Sequence, residues 1–163
     1  MKSAISILLI SCIIFFSCKK PKVYSDIPLI KYENFRFVDS LGSIIGVLTF
    51  SFTDGDGDIG LTQPITSDSL APPPPDSTYY DLFITMFSKT NGIYDTVKFP
   101  TPFYYRLPFY ESIGQYKTAQ GRIFIQLFYL KPFSWDTVRY KFYIFDRAMH
   151  RSNTVTSPDI IFK

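Results

Sequence analysis

The sequence predicts an all-β protein that folds as a sandwich of two antiparallel sheets. Aromatic residues make up 18% of the chain, with 17 Phe and 12 Tyr, and aromatic and β-branched residues favour strands. Several short segments alternate apolar and polar residues, as expected for strands that bury one face. No long segment places apolar residues at helical spacing. Two packed sheets are the natural way to bury one apolar face per strand, and a closed barrel is the alternative.

The N-terminal segment should be followed by about 7–8 strands. The alternation is clearest in Thr137–Phe145 and in Ser43–Phe52. Asn91-Gly92 predicts a hairpin, because both residues tolerate positive φ. Nearby prolines make Phe103–Tyr110 irregular, which suits an edge strand. The full set of predicted strands is Ile30–Val38, Ser43–Phe52, Tyr79–Ser88, Ile93–Phe99, Phe103–Tyr110, Arg122–Leu130, Thr137–Phe145 and Val155–Phe162.

A long insertion, Leu61–Thr78, separates the second predicted strand from the third. It is rich in Pro, Ser and Asp. Its run Pro72–Pro75 is expected to adopt extended polyproline geometry. We interpret the insertion as a semi-rigid surface loop, with recognition of a partner as the alternative.

The first residues have the layout of an export signal. A short charged start is followed by the apolar run Ala4–Phe16, which fits the roughly 7–15 residues of a signal core and falls short of the roughly 20 needed to span a bilayer. Cys18 follows at the change to polar sequence, and this layout resembles bacterial lipoprotein signals that end in a lipid-attachment cysteine. Cys12 fits the strict cleavage motif better, but cleavage there would expose Ile13–Phe16 at the new N-terminus. We therefore favour Cys18, with a non-lipidated signal or an uncleaved anchor as the alternatives.

The chain is expected to divide into three parts. Residues 1–17 are the signal peptide, residues 18–28 the lipidated tether, and residues 29–163 the β-sandwich domain. The tether carries three lysines and two prolines after Cys18, and its lysines could contact anionic headgroups of the membrane that holds the anchor. The formal net charge of the whole chain is only +3, which argues against a nucleic-acid partner.

The main chemical feature is the acidic loop, Asp54-Gly55-Asp56-Gly57-Asp58, directly after the second predicted strand. Alternating glycines allow a tight backbone, so the three carboxylates can converge on a cation. Ca²⁺ prefers such oxygen ligands. The loop is not an EF-hand, because Ile59 and Ile65 would occupy the Gly and Glu positions of that motif. A solvated Asp/Gly turn and neutralisation by a neighbouring Arg are the alternatives.

Asp146-Arg147 is the expected neighbour of the acidic loop. Arg147 could neutralise the carboxylates, and Asp146 could either cap the following turn or add a carboxylate to the loop. The segment Phe145–Asn153 resembles the end of bacterial immunoglobulin-like domains, where Asp-x-Ala-Gly-Asn is common; Met149-His150 here replaces Gly-Asn.

The lipid-anchor signal, the stretch Phe50–Gly60 and the Asp-Arg-Ala turn together resemble small outer-membrane lipoproteins of the Bacteroidetes group. The resemblance implies an immunoglobulin-like antiparallel sandwich held in the cell envelope at the outer membrane, and it supplies no activity. Surface-exposed members of the group often carry acidic residues after the lipidated cysteine. Lys19 and Lys20 occupy those positions here, so both the periplasmic and the surface face stay open.

The sequence does not favour an enzyme. His150 is the single histidine, no nucleophile-elbow motif is present, and a zinc site lacks the usual ligands. We expect a non-enzymatic, lipid-anchored module for binding or envelope assembly, stabilised by Ca²⁺, with an envelope protein or a glycan as its partner. The alternative is a glycan-binding lipoprotein accessory to an outer-membrane uptake system. Aromatic residues that could stack on sugars are Trp135 and the tyrosines at positions 104, 105, 110 and 116.

Overall fold

The computed structural model describes residues 22–40, 43–61, 80–112 and 117–162. The predicted signal peptide, Cys18 with its predicted lipid, and almost all of the Leu61–Thr78 insertion lie outside these ranges. All regular structure in the described residues is β-strand. None of the described segments forms a helix long and apolar enough to cross a lipid bilayer.

The described residues form nine strands. In order, they are β1 Leu29–Ser40, β2 Ser43–Asp54, β3 Leu82–Thr90, β4 Ile93–Thr96, β5 Phe103–Tyr105, β6 Ala119–Leu130, β7 Thr137–Ile144, β8 Val155–Thr156 and β9 Ile160–Ile161.

The strands form two antiparallel sheets, so the predicted sandwich is confirmed. The first sheet has the order β1-β2-β6, and the second has the order β4-β3-β7-β8. In the second sheet β5 also pairs with β3, and β9 also pairs with β7. In the part of the chain that the structure describes, the first two strands and β6 therefore form one layer, and the remaining strands form the other.

The core lies between the sheets and follows from the alternation along the strands. In β7 every second residue is fully buried, namely Val138, Tyr140, Phe142 and Ile144. Leu48 and Phe50 of β2 are equally buried, and the rings of Phe50 and Phe142 meet across the sheets at 5.0 Å. These inward faces match the ones that the sequence predicts.

Some predicted strand boundaries are wrong, because side chains take backbone groups away from the sheet. The segment Phe103–Tyr110 is a strand only as far as Tyr105. Beyond it, the N–H of Leu107 donates to Asp81 Oδ1 at 2.6 Å, and Pro108 has no N–H to offer. The final segment is divided into β8 and β9, because Ser157 Oγ accepts the N–H of Tyr140 at 3.0 Å.

The hairpin prediction is confirmed by the turn between β3 and β4. Asn91 and Gly92 both have positive φ, at 52° and 83°. The turn carries β4 back along β3, with Thr90 paired to Ile93.

The two ends of the sandwich differ in character. We call the end formed by residues 54–61, 106–112 and 145–151 the loop end. These segments touch one another there, since Tyr110 N donates to Ile59 O and Arg147 N donates to Asp58 O, both at 3.2 Å. We call the opposite end, near residues 131–136, the groove end.

Candidate metal centre

The acidic loop begins where β2 ends, and its first carboxylate is enclosed by the fold. Asp54 pairs with Ala119 of β6, and its side chain is fully buried. Its Oδ2 accepts the N–H of Asp58 at 2.8 Å, so the loop closes on itself within five residues. Strand pairing therefore fixes the position of Asp54, and the loop brings the later residues back towards it.

Glycine is required in this loop because neighbouring backbone lies against it. A Cβ on Gly57 would lie 1.8 Å from the carbonyl oxygen of Lys117, and the φ of Gly57 is +70°. A Cβ on Gly55 would lie 2.6 Å from the carbonyl oxygens of Tyr24 and Ser25. The acidic loop is thus enclosed between the tether and the chain that leads into β6.

The three carboxylates of the loop converge. One oxygen each from Asp54, Asp56 and Asp58 lies within 4.8 Å of the other two. The Oδ1 atoms of all three residues are buried and have no hydrogen-bond partner among the described residues. A buried carboxylate oxygen without a partner is unfavourable, and here three such oxygens occur in one short loop. The cluster could therefore hold a metal ion.

Burial and mutual repulsion raise the pKa of two of the loop carboxylates, so the described residues compensate these negative charges only in part. Burial raises the pKa of Asp54 to about 7, although the N–H of Asp58 opposes the rise. Burial also raises the pKa of Asp58, and the nearby Asp146 and Asp56 carboxylates add to that rise. Because both pKa values are raised, the site disfavours ionised carboxylates until a positive charge is supplied.

Among the described residues, Arg147 forms no ion pair with the acidic loop, and it acts on the loop through a longer-range attraction that lowers the pKa of Asp58. Its Nη1 donates to the carbonyl oxygens of Ile59 and Gly60 at 3.0 Å each, and to that of Tyr110 at 3.2 Å. The guanidinium carbon lies 4.6 Å from the ring centroid of Phe109. Arg147 therefore holds the loop end together through backbone carbonyls, and it contributes only a longer-range attraction that lowers the pKa of Asp58.

Asp146 adopts the turn-capping role. Its Oδ1 accepts the N–H of His150 at 2.7 Å, and its Oδ2 lies 2.9 Å from Nδ1 of the same residue. The hydrogen bond to Asp146 raises the pKa of His150. Asp146 is fully buried and close enough to raise the pKa of Asp54 and Asp58, but it is not one of the three converging residues.

The acidic loop is not a fully solvated turn. Asp54 is fully buried, and Asp56 and Asp58 are half-buried. The second oxygen of Asp58 accepts the N–H of Ala148 at 3.0 Å, which joins the loop to the turn after β7. The geometry thus gathers the three aspartates into a cluster that could hold a metal ion.

Sequence reasoning missed two contributors to this end of the molecule. Asp81 is 1% exposed and receives the N–H groups of Leu107 and Leu61 at 2.6 and 3.1 Å. Thr118 Oγ1 donates to the carbonyl oxygen of Gly55 at 3.2 Å. The sequence did contain a signal for Asp81, since this carboxylate stands directly before the apolar strand β3, just as Asp54 stands at the end of β2.

The aromatic residues considered for sugar stacking are not brought together. Trp135 packs against Phe99 and Phe133 near the groove end, whereas Tyr110 lies at the loop end. Tyr105 is half-buried and Tyr104 is exposed on an edge. Tyr116 lies outside the described residues.

Comparison of the chain with models of protein families, with curated proteins and with solved structures finds no match.

Proposed function

We propose that the chain is a lipid-anchored, non-enzymatic β-sandwich module for binding or envelope assembly, stabilised by Ca²⁺ in the acidic loop. The observation that carries the metal part is the convergence of the Asp54, Asp56 and Asp58 carboxylates. Each of them also has a buried Oδ1 atom with no hydrogen-bond partner among the described residues. The envelope part is supported by the export-signal layout that ends at Cys18.

The donor set favours Ca²⁺ among common cations. All three donors are carboxylate oxygens, which suit hard cations, and Ca²⁺ accepts irregular arrangements of 6–8 oxygens. Mg²⁺ requires a nearly ideal octahedron, which three residues of one short loop do not readily supply. The thiol and imidazole ligands that transition metals prefer are not part of the cluster.

A cation in this loop would link the two sheets. Asp54 ends β2 of the first sheet, and Asp58 holds the turn after β7 of the second sheet through Ala148 N and Arg147 N. An ion shared by both aspartates would fasten one end of the sandwich. The proposed role of the ion is therefore structural: it gives a binding module a rigid end.

Thermal melting of the acylated protein in detergent tests the metal part. Ca²⁺ at 100 times its Kd should stabilise the native protein by about 2.7 kcal/mol, and Mg²⁺ should stabilise it less. Asp56→Asn should remove most of the Ca²⁺ effect, because it removes one negative charge from the cluster and replaces a carboxylate oxygen with an amide NH₂ that cannot bind the ion. Asp26→Asn is the matched control, since Asp26 is exposed on the tether and outside the cluster. An equal response to Ca²⁺ in native protein and in Asp56→Asn would refute the site.

Glycan binding remains the second candidate because of an open groove at the groove end. The groove has a volume of about 620 Å³, and its lining includes Phe133, Trp135 and Phe162 with the polar residues Lys131 and Asp136. Aromatic rings beside polar groups suit sugars. A glycan array probed with native protein and with Trp135→Ala would separate this function from the first, since only a glycan-binding module would give Trp135-dependent signals.

A further inference from the structure

Strand β6 forms one edge of the first sheet over its whole length. It has 12 residues, and among the described residues it pairs only with β2. A strand edge of this kind presents unpaired N–H and C=O groups, on which a further strand can pair. The residues that direct these groups away from β2 decide what the edge can bind.

Hydrogen bonds at the other side of the sheet show which residues of β6 face its free edge. Both the N–H and the C=O of Ile30 bond to the side chain of Asn153, so Ile30 points away from β2. Its partner Phe52 therefore points away from β1 and bonds to β6. Phe52 pairs with Gly121, so the odd-numbered residues of β6 bond to β2. The even-numbered residues, from 120 to 130, face the free edge.

The contact of Tyr105 with β6 agrees with this assignment. The hydroxyl of Tyr105 donates to the carbonyl oxygen of Gln126 at 3.5 Å, so this even-numbered residue directs its C=O away from β2. The hydrogen bond is long, and a carbonyl oxygen has a second lone pair. Gln126 can therefore still pair with another strand.

The other edges of the sandwich carry features that prevent strand pairing. β1 has a register shift between Tyr32 and Asn34 and exposes the charged side chains of Lys31 and Arg36. The strands β4, β5, β8 and β9 have at most four residues each. Irregularities, charges and short edges are the means by which native sheets avoid pairing with another chain. β6 is long, and its one charged residue is Arg122.

The outward face of β6 is apolar as well. Phe124, Phe128 and Leu130 are 61%, 62% and 83% exposed. Val38 and Ile45 continue this apolar surface, because they lie in register with Phe128 across the first sheet. The edge and the face together therefore suit a partner strand that is apolar on the same side.

β6 is complementary to itself when two copies run antiparallel about a two-fold axis at Ile125. Every edge-facing residue then lies opposite an edge-facing residue of the other copy. Arg122, whose Nε lies 2.8 Å from Oε2 of Glu33 in its own chain, comes opposite an aromatic ring, and the two copies of Arg122 are about 20 Å apart. Like charges therefore do not meet. The opposed pairs are Gln120 with Leu130, Arg122 with Phe128, and Phe124 with Gln126.

We propose that the chain forms a dimer in which two β6 strands pair antiparallel and join the first sheets of both copies into one continuous sheet. Phe124 then has Phe124 and Phe128 of the other copy as diagonal neighbours, which aromatic side chains can reach. A two-fold contact closes on itself, because both copies use the same surface. The dimer depends neither on a cation in the acidic loop nor on a lipid at Cys18.

Sedimentation equilibrium of the native protein, in detergent matched to the density of the solvent, tests the dimer. A large excess of micelles ensures that two chains share one only when they bind each other. Phe128→Lys should raise the Kd of the dimer roughly tenfold or more, because the lysine would lie opposite Arg122 of the other copy. Ile93→Lys is the matched control and should leave the Kd unchanged, since Ile93 is 65% exposed but lies in the second sheet.

Phe128→Glu tests the register of the two strands. It removes the same ring as Phe128→Lys, but it places a carboxylate opposite Arg122 of the other copy, and opposite charges on facing strands attract. Its Kd should therefore be about tenfold lower than that of Phe128→Lys. Equal Kd values for the two variants would overturn the proposed pairing.

Amide hydrogen exchange, followed by NMR, tests whether the dimer forms through the strand edge. The N–H groups of Arg122 and Phe124 should exchange several-fold more slowly in native protein than in Phe128→Lys at the same concentration. The N–H of Ile123, which bonds to β2, should exchange equally in both. A dimer without this alternating protection would overturn edge pairing. So would native protein that stays monomeric up to about 0.1 mM, whether its edge is open or covered by another part of the chain.

Discussion

At the scale of single residues, the acidic loop concentrates negative charge where the fold offers little to balance it. Asp54 is fully buried, and within the described segments one oxygen of each of the three loop aspartates lacks a hydrogen-bond partner. The sequence predicted the convergence from the Asp-Gly spacing. It could not predict the burial, because the tether and the chain around Lys117 come from distant parts of the sequence.

The raised pKa values predict how stability depends on pH. The pKa of Asp54 is about 7 in the folded protein and 3.8 in the reference state, so the folded state binds more protons between these values. Stability of the chelated protein should therefore fall as the pH rises from about 4 to about 7. Ca²⁺ should reduce this loss, because the ion replaces the proton as the balancing charge.

Thermal melting at about pH 5 and about pH 8, in chelator and in Ca²⁺, checks this expectation. Asp81, with a pKa raised by burial to about 6, adds a loss of the same sign that does not depend on the metal. Asp159, with a pKa lowered to about 2 by Tyr94 and Arg139, acts only in acid below this range. A chelated protein that is equally stable at both pH values contradicts the account.

Gly57 offers a second test at the residue scale. Gly57→Ala should destabilise the fold by more than the roughly 1–2 kcal/mol that positive φ costs a non-glycine residue, because its Cβ would meet Lys117 O at 1.8 Å. Gly92→Ala is the control, since Gly92 also has positive φ but no atom within 4 Å of its Cβ position. Urea unfolding measures both, and equal losses would show that the close packing around the acidic loop is wrong.

At the scale of elements, the strands that alternate regularly were predictable, and the interrupted ones were not. The buried face of β7 follows directly from its sequence, and so does the hairpin at Asn91-Gly92. The early end of β5 depends on Asp81, which lies 26 positions before Leu107 and takes its N–H. Alternation within one segment carries no information about such a distant acceptor.

The pairing of the two sheets can be tested through one hydrogen bond in the core. Tyr129 of β6 and Tyr140 of β7 join their hydroxyl groups at 2.6 Å between the sheets. Tyr129→Phe or Tyr140→Phe should each cost about 1–3 kcal/mol, because the remaining buried hydroxyl loses this partner. The double variant should cost less than the sum of the single ones. Additive losses in denaturant unfolding would mean that the hydroxyls do not interact.

At the scale of the whole molecule, the sandwich and the neighbourhood of the acidic loop and the Asp146 turn were both predictable. Composition and alternation favoured two sheets, and strands that end at the same end of a sandwich bring their loops together. Arg147 shows what was not predictable. Its charge suggested a partner for carboxylates, but the carbonyl oxygens of Ile59, Gly60 and Tyr110 converge on it, and only the folded backbone shows that.

The account depends most on a cation in the acidic loop, and calorimetric titration of the acylated protein in detergent with Ca²⁺ tests this directly. We expect uptake of one ion per chain, weaker uptake of Mg²⁺, and a Kd that rises roughly tenfold or more in Asp56→Asn and stays unchanged in Asp26→Asn. Native protein that takes up no Ca²⁺ at millimolar concentration, or an Asp56→Asn variant that binds it as tightly as native protein, would contradict the account.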